Sequence, residues 1–291
     1  MSRAPLVSVI IPCYRQAHYL DDAIQSILAQ TYRHFEIIVV DDGSPDNAAE
    51  VAGRYDRVKC IRQRNLGLST ARNTGLQASA ADYVVFLDSD DKLLPDALET
   101  GVNCLRALPG CPFVYGFCEY VDQNGSSLPT PRHVSLRNDA YRELLQENHI
   151  WTPGAAMFRR SIFSCVEGFD PSLFRGCEDL DLYLRIAKDF PVHCHGKIIL
   201  QYRRHAASMS NNKFRILRAS NDLFHKHLRE VKGDRELEDV CRAKIIPRRR
   251  LVMRHPTVNR IIITVRVRTR LRAIQSYLRT AGKDKLINKK S

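Results

Sequence analysis

An α/β fold built on a mostly parallel sheet is what this sequence predicts, and three observations predict it. Over the first hundred residues, short apolar runs alternate with amphipathic stretches, the order that lays helices over parallel strands. Three of the four apolar runs end in polar chemistry unusual for a packed core: Pro12-Cys13-Tyr14, Asp41-Asp42-Gly43-Ser44 and Asp88-Ser89-Asp90-Asp91. Ligands of open α/β sheets bind beyond the carboxyl ends of the strands, so these ends point to one cleft. The chain has 291 residues, 44% of them apolar, enough for one large or two modest domains with a substantial core.

The elements follow in order. "LVSVIIP" reads as the first strand, and Leu20, Ala23, Ile24, Ile27 and Leu28 then fall at helical spacing. "FEIIVVDDGS" is a second strand ending in a turn, "VKCIRQ" a third, and "STARNTGLQA" a short helix with Ser69 as its N-cap. "DYVVFLDSDD" is the fourth strand. From 106 to 231 the pattern loosens into "PFVYGFCEYVD", a turn at "QNGSS", "GAAMFRRSIF" and a helix after "GCEDLDLYLRIAK". This gives a domain over 1–231, with halves 1–105 and 106–231, and a basic extension over 232–291.

Charge and cysteines exclude several classes. The net charge of +13 suggests an anionic partner, but residues 1–231 hold 27 Lys and Arg against 27 Asp and Glu, and residues 232–291 hold 18 against 5. The basic character therefore belongs to the extension. A nucleic-acid binder is disfavoured, because the extension has no interleaved aromatic beyond Tyr277. Nine cysteines without a C-x-x-C pair argue against a disulfide framework and a zinc site, and for a reducing compartment. No charged-then-apolar leader precedes the first strand, and the aliphatic runs "VII" and "III" fall far short of a span of about 20 residues.

The candidate chemistry sits at the strand ends. On extended backbone, Asp88 and Asp90 point to the same side, which suits a hard divalent cation; the other reading is a solvated acidic turn capping the helix that begins near Pro95. Asp42 suits hydrogen bonds to a base or sugar, or an Asx turn closed on Gly43 and Ser44. Tyr14 behind Pro12 offers a wall for a base, or plain packing. Arg72 in "NLGLSTARNTGL" suits a phosphate or balances the acidic cluster; the other reading is a surface arginine on an amphipathic helix. Glu178, Asp179 and Asp181 occupy a first helical turn, where the macrodipole favours acids and a general base is also well placed. His205 in "YRRHAASMS" is a third metal ligand or a loop histidine.

Together these blocks resemble the family 2 glycosyltransferases, inverting enzymes of the GT-A fold. "VSVIIPCYRQAHYLDDAIQSILAQTY", "FEIIVVDDGSPDN", "RNLGLSTARNTGL", "YVVFLDSDD" and "FRRSIFSCVEGFDPSLFRGCEDLDLYLRIAK" stand in the family's order over about two thirds of the chain. The resemblance implies that a nucleotide-diphosphate sugar is the donor, with Pro12, Tyr14 and Asp42 bordering the base and Arg72, Asp88 and Ser89 on the donor side, Asp88 near the ribose. It implies that Asp90, with Asp88 and His205 as helpers, ligates Mn²⁺ or Mg²⁺, and that Asp179 is the base. No Q-x-x-R-W stretch occurs and Trp151 is the lone tryptophan, so a non-processive enzyme is expected. The acceptor is then a glycan or lipid-linked glycan in cell-surface polysaccharide or glycolipid synthesis. The alternatives are a nucleotidyltransferase with the same metal site and a non-catalytic sugar-nucleotide-binding protein. In "NRIIITVRVRTRLRAIQSYLR", an apolar stripe flanked by arginines suits an anionic membrane surface, although its branched residues also suit a strand or a solvated extension. The expected location is cytoplasmic, peripheral on the inner face of the membrane.

Overall fold

The structure, a computed structural model, describes residues 3–137 and 139–245. Its strands are β1 (Val7–Cys13), β2 (Phe35–Asp41), β3 (Val58–Arg62), β4 (Tyr83–Phe86), β5 (Lys92–Leu93), β6 (Phe113–Val121), β7 (Ser127–Leu128), β8 (Ala156–Arg159) and β9 (Val192–Arg203). They form one sheet in the order β3-β2-β1-β4-β8-β6-β9-β5, with β7 paired to β6. The run β3-β2-β1-β4 is parallel. β8 is antiparallel to both β4 and β6, and β9 returns parallel to β6. The helices are α1 (Ala17–Leu28), α2 (Ala48–Gly53), α3 (Leu68–Ala78), α4 (Ala97–Ala107), α5 (Ala140–Gln146), α6 (Glu178–Ala187), α7 (Lys213–Glu230) and α8 (Arg235–Lys244).

β1 is buried along its whole length, as expected of a parallel strand covered on both faces. Val7, Val9 and Ile11 share one core with Leu20, Ala23, Ile24 and Ile27 of α1, the stripe seen in the sequence. On the other face α3 approaches so closely that a Cβ on Gly75 would lie 2.3 Å from Ile10 Cγ2. Pro12 costs the ladder nothing. The Ile10 carbonyl accepts the last bond on the β4 side, from Leu87, and Pro12, two residues on, faces that side after the pairing has ended.

Three expectations are corrected. α3 is capped at Gly67, whose φ of 91° a glycine adopts without strain, and Ser69 lies buried inside the helix. After Phe86 the chain is no longer extended: Asp91 N–H closes a turn on the Asp88 carbonyl at 3.0 Å, so the same-side argument for Asp88 and Asp90 fails. The compact unit runs to Lys244, not to 231, because α8 buries Cys241 and joins α5 through the Arg142–Glu236 ion pair. Residues 246–291, which contain the candidate membrane-binding stretch, lie outside the described residues. Among the described residues no helix is long and apolar enough to cross a membrane.

Candidate active site

The cleft is built where the parallel strands end. Asp42 follows β2, and its carboxylate accepts hydrogen bonds from Gln63 Nε2 (2.7 Å), Leu66 N (2.9 Å) and Gly67 N (2.9 Å). It anchors the loop into α3; the carboxylate that closes the turn after β2 is that of Asp41, which accepts from Ser44 N at 2.7 Å. Tyr14, after β1, is 40% exposed and carries the Arg15 guanidinium 5.3 Å from its ring centre. Arg15 N–H donates to Ser44 Oγ and Ala17 N–H to Asp46 Oδ2, which ties the first strand end to the second.

The third strand end carries the acidic cluster. Arg72, on α3 and buried, donates to Asp88 Oδ1 (2.7 Å) and Glu178 Oε1 (2.8 Å), with Phe169 under its guanidinium at 5.0 Å. Arg72 is therefore sealed between two carboxylates and is not a surface arginine. Asp90 Oδ2 faces His205 Nε2 at 2.9 Å and accepts from Gln16 Nε2 at 3.0 Å. Gln16 Oε1 in turn accepts from the hydroxyl of Ser89. Asp91 is buried and accepts from Arg203 N (2.9 Å) and Thr152 Oγ1 (3.3 Å). Arg203 spends its guanidinium on the Asp90 carbonyl, the Gln123 carbonyl and Asp22.

Across the cleft, α6 starts from Cys177 in the left-handed region at φ 65°, after Gly176 at φ 127°. Its first turn holds three acids with different fates. Glu178 is paired to Arg72. Asp181 is buried among Lys226 (2.7 Å), Arg185 (2.8 Å) and His227 (3.2 Å). Asp179 is half-buried and bonded to the N–H of Leu180. Burial pushes its carboxyl up to about 7, Glu178 adds to the rise, and Arg72 opposes it. Burial also raises Asp88, against the pull of Arg72, with Asp90 adding to it.

A divalent cation fits this donor set in one way. Among the described residues no three His, Cys, Asp or Glu side chains are arranged to hold a metal ion. Asp90 and His205 do meet, Asp88 gives one oxygen to Arg72, and no described residue hydrogen-bonds to Asp90 Oδ1. Mg²⁺-like ions are commonly held by one or two carboxylates completed by substrate phosphates, and this partial set suits such binding.

Sequence reasoning brought Asp88, Ser89, Asp90, Arg72 and His205 to one place and set Asp179 beside Arg72's partner Glu178. It missed Gln16, Arg203 and Asp91 as the groups that orient Asp90. Arg203 stands two residues before His205 in "YRRHAASMS", but nothing in the stretch says that its side chain turns inward.

This sheet, with its cleft at the strand ends, defines a GT-A glycosyltransferase fold. The model of the glycosyl transferase family 2 matches residues 8–167, and the chain belongs to that family. An uncharacterised glycosyltransferase of Rickettsia prowazekii is 32% identical over 235 residues, covering 78% of this chain and 73% of the relative. Chondroitin synthase of Escherichia coli is 30% identical over 220 residues, covering 74% of this chain but 31% of that enzyme. Among solved structures, S. aureus TarS 1–349 in complex with UDP-GlcNAc aligns with a TM-score of 0.61 at 17% identity, covering 80% of this chain and 69% of that one. A mannosyltransferase from Pyrobaculum calidifontis in complex with GDP-Man and Mn²⁺ aligns with a TM-score of 0.60 at 19% identity, covering 84% and 70%.

Proposed function

We propose that this glycosyltransferase moves a sugar from a nucleotide-diphosphate donor to an acceptor hydroxyl with inversion, one addition per encounter, in cell-surface polysaccharide or glycolipid synthesis. The observation that carries the reading is Asp179: a half-buried carboxyl raised to about 7, set one residue from the acid that Arg72 ties to the strand-end cluster. A group with that pKa suits a general base at neutral pH. The nucleotide sugars in the two solved neighbours support the donor class, and the Mn²⁺ in one of them supports the ion.

In this reading residues 1–105 hold the donor and 106–231 the acceptor. Pro12 and Tyr14 border the base, and Asp42 holds the 63–67 loop against it. Asp88, with Arg72 and Ser89, lies near the ribose. Asp90, with Asp88 and His205, holds Mn²⁺ or Mg²⁺, which when bound neutralises charge on the departing diphosphate. Asp179 takes the proton of the acceptor hydroxyl as that oxygen attacks the anomeric carbon from the face opposite the diphosphate. A single displacement inverts the anomer. Beyond the compact unit, residues 245–291 add a basic segment suited to the anionic inner face of the cytoplasmic membrane.

The test is nucleoside diphosphate release from a panel of nucleotide sugars with Mn²⁺. Asp90→Ala is expected to abolish release and flatten its Mn²⁺ dependence while keeping the fold. Near-normal Mn²⁺-dependent release by that variant would overturn the metal assignment, and pyrophosphate release from a nucleoside triphosphate and a sugar 1-phosphate supplied in place of the nucleotide sugar would make the protein a nucleotidyltransferase.

A further inference from the structure

Asn73 follows Arg72 on α3 and reaches across 96 residues to the segment that leads into α6. Its side-chain amide donates from Nδ2 to the Phe169 carbonyl and accepts at Oδ1 from the Phe169 N–H, each at 2.8 Å. One amide thus satisfies both backbone groups of a single residue. The approach is so close that a Cβ on Gly168 would lie 2.3 Å from Asn73 Oδ1. Arg185 of α6 holds the same segment, donating to the Glu167 and Gly168 carbonyls at 2.6 Å each.

What this clamp fixes is a ring. Phe169 is buried, the Phe86 ring meets it edge-on at 4.8 Å and 87°, and the guanidinium carbon of Arg72 lies 5.0 Å from its centre. That guanidinium donates through its two terminal nitrogens to Asp88 and Glu178, while its Nε is buried and has no hydrogen-bond partner among the described residues. The two carboxylates set the edge of the group, and the aromatic face sets its plane.

We infer that Phe169, clamped by Asn73, is a positioning residue that holds the Arg72 guanidinium between Glu178 and Asp88, so that the two acid clusters keep their places across the cleft. This rests on the transferase reading for the role of Asp179, and it adds the residues that set the charge beside that base. Asp179 feels Cys177, Glu178 and Tyr183 of its own helix and the helix entry, Arg72 from α3 and Asp88 from the strand end. Of these groups Arg72 alone is a cation. Its pull opposes the rise of the Asp179 carboxyl, so a guanidinium that tips away leaves that carboxyl higher still. Phe158 is the apolar counterpart: it is buried, and its ring neighbours are Phe86, Phe113, Phe163 and Tyr183.

The test reads Asp179 directly and needs no substrate. In metal-free buffer the side-chain carboxyl carbon of Asp179 is titrated by NMR in the full chain labelled with isotopic aspartate, its signal assigned by its loss in Asp179→Asn. Asn73→Ala, at a partly exposed helical position, and Phe169→Leu are expected to move the midpoint upward by about 0.5 pH. Phe158→Leu, which empties a similar volume beside Phe86, is expected to leave it in place. An unmoved midpoint in Asn73→Ala overturns the inference, even where Phe169→Leu fails to fold. An equal movement in Phe158→Leu overturns it too, because the clamp is then packing alone. Nucleoside diphosphate release separates this inference from the transferase reading: where the parent releases it, the acid limb of the Asn73→Ala rate should follow the midpoint upward, and a limb that stays while the midpoint moves takes the base role from Asp179. No release from any nucleotide sugar by the parent removes the transferase reading and leaves the titration to decide the clamp.

Discussion

The two acidic clusters that face each other across the cleft are built alike and held differently. At the strand end stand Asp88, Asp90 and Asp91; at the helix start stand Glu178, Asp179 and Asp181. In each, one member is bound by Arg72, one is turned toward the cleft, and one is buried as an anchor. The anchors diverge. Asp91 meets a backbone N–H and a hydroxyl, and burial together with Asp90 and Asp88 raises its carboxyl. For Asp181 burial acts in the same direction, but the His227 hydrogen bond with Arg185 and Lys226 outweighs it and holds the carboxyl far below the usual range. The same side chain is thus driven in opposite directions at the two anchors by partners and burial alone.

The strongest way to break the comparison is to remove the cleft-facing member on the helix side. Asp179→Asn is expected to lower transfer roughly 10²–10⁴-fold with donor binding by thermal shift unchanged; weakened donor binding at normal turnover would move Asp179 to the donor side. The base must be deprotonated, so transfer by the parent should rise about tenfold per pH unit below the raised value, which lies near 7, and level off above it. A flat rate from pH 5 to 8 would contradict this assignment.

The anchors come next. Asp181→Asn leaves Lys226 and Arg185 without their buried partner, at a cost of roughly 3–5 kcal/mol in urea unfolding. Its folded pKa is depressed, so the stability it gives is present above the ordinary carboxylate value and lost as pH falls below it; the variant should lack that acid limb. Asp91 has the opposite sign, because its raised folded pKa makes its contribution fall as pH rises from the ordinary value toward the raised one. In metal-free buffer Asp91→Asn, whose amide oxygen still accepts from Arg203, should therefore cost no more than about 1 kcal/mol. Equal losses in the two asparagine variants would erase the contrast.

Between these in size lies Gly75→Ala. The added methyl meets Ile10 and Val40, and overpacking of this kind costs roughly 1–3 kcal/mol. Because Gly75 sits one turn beyond Arg72, the variant also tests whether the guanidinium must keep its place between the clusters; unchanged transfer would show that the bridge tolerates movement.

Much of this was legible in the sequence. The four parallel strands and the α1 stripe follow from local periodicity, and the ordered blocks brought the cleft residues together. Arg72 stayed ambiguous because helical spacing says which residues share a face, but not that a guanidinium is sealed between two carboxylates from positions 88 and 178. Ser69 reads as a cap because the positive φ of Gly67 and the grip of Asp42 on its N–H are tertiary facts that local sequence does not carry. The boundary at 231 followed charge, which is blind to the burial of Cys241.

Arg203 and His205 bear on how the protein is made. The four parallel strands need only the first 86 residues, whereas Asp90 meets His205 across 115 residues and Asp22 meets Arg203 across 181. Chains emerge from the ribosome amino end first, so a nascent chain displays its parallel strands well before Asp90 has its imidazole partner. The acidic cleft is completed late, and a chain truncated between residues 87 and 202 would contain all four parallel strands while lacking an oriented Asp90.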